Sequence, residues 1–121
     1  MLTDPLNKLG YATHPYYMSG IKNDPAFFDK RFGNLASTHV VVATEWNAVS
    51  QSNCNADDAI YAPILVKYLQ DHHIGLYGWA FDLPGTLIRD WNYTPTTFTN
   101  YQCGTTYGGA GELVKNTFEG L

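Results

Sequence analysis

Charge is scarce in this chain of 121 residues: 15% of it is charged, eleven acids stand against seven bases, and no Lys/Arg cluster occurs anywhere. A net charge of −4 with a pI near 5.3 removes any general attraction to nucleic acid or to anionic membranes, so polyanions are not expected as partners. Long apolar runs are missing as well. None approaches the roughly 18 residues of a membrane span, which excludes a membrane partner of that kind. Met1-Leu2-Thr3-Asp4-Pro5 lacks the basic start and apolar centre of a secretory leader, so the expectation is a mature, intracellular or excised chain. Cysteine is limited to Cys54 and Cys103, too few for a zinc site and too far apart for a redox CxxC. One disulfide or two free thiols are the choices.

What the chain does have is aromatic surface: 15% of its residues, with nine Tyr and three Trp, which suits either a rich core or a sugar-binding face. It is organised around Val40-Val41-Val42-Ala43-Thr44-Glu45-Trp46. The continuous apolar start reads as a strand buried on both faces, of the kind found in parallel sheets. Glu45 breaks that pattern. A carboxylate at the C-terminal tip of a parallel strand sits where α/β folds put their chemistry, although a strand-end surface salt bridge is the plain alternative.

Strand-then-helix units repeat on both sides of this run. Residues 10 to 16 read as a strand with His14 and Tyr16 at its tip, because Pro15 forces His14 to be extended and ends the ladder. Asp24-Pro25 supplies an N-cap and a first-turn proline, Gly33 a stop, and Phe27, Phe28, Arg31 and Phe32 an aromatic helix face. After a polar loop over 48 to 55, Asp57-Asp58 opens a second helix. Its apolar face is expected at Ile60, Ile64, Leu65, Tyr68 and Leu69, with Pro63 in the first turn and Gly75 closing it. A third strand, Leu76-Tyr77-Gly78-Trp79-Ala80-Phe81, ends at Asp82. The loop over 86 to 109 is long enough to suggest function, with Trp91, Tyr101 and Tyr107 either extending a sugar-binding surface or anchoring the loop. Glu112 to Phe118 completes the pattern with Leu113, Val114 and Phe118 as an apolar face. The adjacent His72-His73 pair points in diverging directions from a helix end, which favours a polar C-terminus over a metal site.

Three parallel strands deliver their tips to one face: His14 and Tyr16, then Glu45 and Trp46, then Trp79 and Asp82. Singly, each has a structural counterpart, a satisfied histidine or a core tryptophan. Together they are a carboxylate flanked by an imidazole, a phenol and an indole plane, suited to gripping and cleaving a sugar ring.

Tyr11-Ala12-Thr13-His14-Pro15-Tyr16, Val42-Ala43-Thr44-Glu45-Trp46-Asn47 and Gly75-Leu76-Tyr77-Gly78-Trp79-Ala80-Phe81 resemble the sixth, seventh and eighth strands of glycoside hydrolase family 5, the cellulase family of (β/α)8 barrels, over residues 4 to 118. The resemblance implies an α/β fold, the C-terminal partial (β/α)8 TIM barrel, with residues 1–121 as a single domain. It implies an endo-β-1,4-glucanase-like enzyme that cleaves cellulose-like β-glucan chains by retaining double displacement, without cofactor or metal. Glu45 then matches the nucleophile, His14 and Tyr16 the His-x-Tyr pair lining the site, and Trp79 the platform under the sugar. Trp46 follows the nucleophile where an aromatic is usual, and Asp82 lies at the neighbouring tip. The resemblance also implies a secreted, extracellular protein, in which a Cys54–Cys103 disulfide between neighbouring loops would persist; two free thiols remain the alternative.

The departure from the family is large. Retention needs a second carboxyl about 5 to 5.5 Å from the first, and the family's Asn-Glu that carries it is absent from this sequence. The chain is about half the roughly 250 residues of a full barrel. Two open sheet edges imply self-association or a missing N-terminal half-barrel as partner, with Asp82 the internal candidate for the acid. The rival functions are a non-catalytic carbohydrate-binding module and an inactive barrel fragment.

Overall fold

β2 (Val40–Trp46) is the centre of a three-stranded parallel sheet, paired on one side with β1 (Gly10–Thr13) and on the other with β3 (Gly75–Gly78). The computed structural model describes residues 4–6, 8–16, 21–46, 58–81, 87–98 and 109–120, with backbone alone at 58 and 59. Parallel neighbours need a crossover, and helices supply both. Between β1 and β2 run α1 (Pro25–Phe28), a π-helical turn (Asp29–Gly33) and α2 (Asn34–Ala36). Between β2 and β3 runs α3 (Asp58–Asp71), and α4 (Gly111–Glu119) follows β3.

The helices cover one face of the sheet. Val41, Ala43 and Trp46 of β2 join Phe28 and Phe32, then Ala62, Leu65, Val66, Tyr68 and Leu69, and finally Leu87 and Val114 in a single buried cluster. Among the described residues nothing covers the opposite face, where Val40, Thr44 and Tyr77 are exposed. The apolar run is therefore buried on one side only, a correction to the two-sided burial that its composition suggests. In a closed barrel that second side faces inward.

Register explains where the carboxylate goes. Val42 pairs with Gly75 and Ala43 with Leu76, but Gly78 pairs with Trp46, so β2 carries one residue more than β3 between the last two pairs. Strict alternation would put Glu45 on the face of Val41 and Ala43, inside the helix-backed core. The bulge turns Glu45 outward and returns Trp46 to the core.

Several local expectations meet stronger forces. Asp24 does cap α1, its carboxylate accepting the Phe27 amide at 3.0 Å, with Pro25 behind it. Gly33 does not stop the helix. Its φ of −66° is helical, and the position is glycine because a Cβ there would stand 1.6 Å from the Tyr68 hydroxyl. The buried stripe of α3 is Ala62, Leu65, Val66 and Leu69, whereas Ile60 and Ile64 share the solvent side with Lys67 and Asp71, which pair at 2.8 Å. Pro63 lies inside α3 rather than in its first turn. Gly75 opens β3 instead of closing α3; His73 takes the left-handed position at φ 54°, with its amide bonded to the Gln70 carbonyl and that of Ile74 to the Leu69 carbonyl. In α4, Val114 is buried but Phe118 is exposed.

Candidate active site

The tips of β1 and β2 converge on Glu45. The chain leaves β1 through His14 and buried Pro15, and the two-residue spacing of His14 and Tyr16 in an extended segment lets both face Glu45 at the β2 tip. The Tyr16 hydroxyl donates to Glu45 Oε1 at 2.9 Å, and His14 Nδ1 lies 3.7 Å from Oε2. Each carboxylate oxygen thus has its own neighbour. The other imidazole nitrogen, Nε2, is 3.2 Å from Thr44 Oγ1. A hydroxyl donating to Nε2 leaves the ring proton on Nδ1, facing the carboxylate.

Electrostatics favour a stable donor. Burial pushes the Tyr16 phenol well above its ordinary range, and the hydrogen bond to Glu45 and the charge of that carboxylate add to the effect. Tyr16 therefore remains a neutral donor throughout the physiological range. Glu45 is partly exposed and His14 is more so, so the approach to the carboxylate is open and the His–Glu attraction is a weak, orienting one.

Beyond β3 the Trp79 amide donates to the Trp46 carbonyl at 2.8 Å, continuing the pairing one step and standing Trp79 beside the β2 tip. Trp79 is 51% exposed. The Trp79–Ala80 peptide is cis. Trp46 is different: at 2% exposure it is a core residue, turned inward by the bulge, and its assignment to the substrate surface is corrected accordingly. Asp82, Cys54, Cys103, Tyr101 and Tyr107 lie outside the described residues, and with them the proposed substitute acid and the disulfide. Thr44 was not singled out by sequence; a hydroxyl one residue before the carboxylate, on the open face of a strand, is the signal that finds it. Among the described residues no three His, Cys, Asp or Glu side chains gather into a metal site.

A helix-backed parallel sheet with an oriented carboxylate at its C-terminal end is α/β architecture of the barrel type, and comparison with solved structures agrees. The chain is similar to the β-glucanase SdGluc5_26A from Saccharophagus degradans in its native form, at 35% identity and a TM-score of 0.59, over 72% of this chain and 30% of that one. The same glucanase in complex with cellotetraose matches at 34% identity and a TM-score of 0.59, with the same shares of each chain. The chain thus corresponds to a barrel portion less than a third of the glucanase's length. No family model matches the sequence, and no curated protein matches it.

Proposed function

We propose that this chain is the C-terminal, nucleophile-bearing part of a retaining glycoside hydrolase of family 5 type that cleaves β-1,4-glucan. Glu45 attacks the anomeric carbon of a sugar stacked on Trp79 and displaces the leaving oxygen, giving a covalent glycosyl ester. Water then releases the sugar, and two inversions return the original configuration. Tyr16 and His14 position the carboxylate, each fixing one of its oxygens. The observation that carries the proposal is the 2.9 Å hydrogen bond from Tyr16 to Glu45 at the tips of adjacent parallel strands, with Trp79 exposed beside them. The likeness to a glucanase crystallised with cellotetraose supports the substrate class.

The acid/base is proposed to come from the remainder of the barrel, as a missing N-terminal half or a second copy, because the family's Asn-Glu is absent from this sequence. The setting is proposed to be extracellular. An aryl β-cellobioside with a good leaving group tests the nucleophile without demanding an acid. Turnover should be present in the wild type and fall by orders of magnitude in Glu45→Gln, and an activated 2-fluoro glycoside should attach to Glu45 in a mass spectrum. Sugar binding with neither turnover nor labelling would make the chain a binding module instead.

A further inference from the structure

The segment after β3 carries aromatic side chains that the Glu45 site does not use. Ile88 and Pro95 form an antiparallel bridge, Arg89 donates its amide to the Thr94 carbonyl at 2.9 Å, and the Asp90 carboxylate accepts the amides of Asn92 at 2.9 Å and Thr94 at 3.2 Å. The base is buried at Leu87, Ile88 and Thr96 and is fastened to α4, since the Gly111 amide donates to Thr96 Oγ1. On this fixed base the tip displays Trp91 at 71% and Tyr93 at 64% exposure. Neither ring anchors the loop. Tyr93 also holds a φ of 59°, a left-handed conformation unfavourable for a bulky side chain. An aromatic placed there strains the backbone and gains no burial within this chain.

The chemistry around the two rings suits a saccharide. Trp91 and Tyr93 offer flat apolar faces for pyranose C–H groups and share the turn with exposed Asn92 and with exposed Arg89, whose Nε lies 3.6 Å from Asp90 Oδ2; both side chains carry N–H groups that can donate to hydroxyls. The loop leaves the same end of the sheet as Trp79, with the Leu87 amide bonded to the Ala80 carbonyl at 3.2 Å. We infer that Trp91 and Tyr93 form a second carbohydrate platform, additional to Trp79, on which a β-glucan chain stacks. This rests on the glucan substrate proposed for Glu45. It makes polymeric glucan, rather than a short oligosaccharide, the better ligand.

Affinity electrophoresis through gels containing soluble β-glucan tests it on the full chain. Wild type should be retarded, and the Trp91→Ala/Tyr93→Ala variant should bind roughly tenfold more weakly, the effect of losing an aromatic anchor. Tyr93→Gly should also bind more weakly while its melting temperature holds or rises, because glycine relieves the left-handed backbone. Retardation of the double variant equal to wild type overturns the platform, as does a wild type that no glucan retards. Aryl glycoside turnover separates the two proposals. Retardation that depends on Trp91 without turnover keeps the platform and sinks the hydrolase, and turnover with retardation that ignores both rings does the reverse.

Discussion

Gly33→Ala sets two effects of opposite sign against each other. The position is helical, so helix propensity alone favours alanine by about 1 kcal/mol. Against this, the new Cβ would sit 1.6 Å from the Tyr68 hydroxyl, 2.8 Å from its Cζ and 3.2 Å from Asp29 Oδ1. Tyr68 has little room to yield. It is 4% exposed, stacks on His72 at 3.9 Å, meets Phe28 and Phe32 edge-on, and donates to Asp29 at 2.5 Å. Overpacking costs about 1–3 kcal/mol, and losing a hydrogen bond to a partly solvated carboxylate about 1.5. The net is a destabilisation of about 1.5–3.5 kcal/mol. Urea unfolding of Gly33→Ala in the wild-type and Tyr68→Phe backgrounds measures it, and the cost should shrink when the hydroxyl is gone. An alanine that stabilises the wild type, or costs the same in both backgrounds, refutes the contact.

Alkaline stability carries a second signature. Tyr16 and Tyr68 both hold their protons more tightly folded than unfolded, chiefly through burial and then through Glu45 and Asp29, so their contribution is complete below about pH 10 and is lost as pH rises through the raised folded values. Urea midpoints followed with tyrosinate absorbance should fall above that pH, less steeply in Tyr16→Phe and Tyr68→Phe; an unchanged slope in both variants would exclude them as the source. Gly111→Ala should cost about 3 kcal/mol or more in thermal unfolding, because its Cβ meets the Leu87 carbonyl at 1.9 Å and the Thr96 amide at 2.7 Å, backbone that cannot rotate away. A melting temperature within error of wild type would show that α4 does not pack so closely there.

The strand-helix alternation was legible because it is written locally, in an apolar run, Asp-Pro at a helix start and a proline after a histidine, and the meeting of His14, Tyr16 and Glu45 followed from placing parallel strand tips at one end of a sheet and from the family resemblance. What could not be read was set by distant partners. Gly33 looks like a helix stop until Tyr68, from the next helix, is seen to fill the space of its missing Cβ. Ile60 and Ile64 have helical spacing with Tyr68, yet the sheet contacts a stripe rotated toward Ala62 and Val66. His73 closes α3 in a conformation usually left to glycine, which made Gly75 the misleading signal. Trp46 follows Glu45 in sequence but points away from it, and no composition rule announces a bulge.

That bulge joins the stability of the fold to the orientation of Glu45. Glu45 and Trp46 are adjacent, and a one-residue slip in β2 would exchange their faces. Burying an indole removes about 150–250 Å² from water, worth roughly 4–6 kcal/mol at about 25 cal/mol per Å² as an upper bound. The exchanged arrangement would forfeit that and would also place a carboxylate beside Val41 and Ala43, away from the Tyr16 hydroxyl, at a desolvation cost of several kcal/mol. Both terms have the same sign. The core therefore selects the register that leaves the carboxylate outward, so the orientation of Glu45 depends on the packing of its neighbour as much as on the two side chains that touch it.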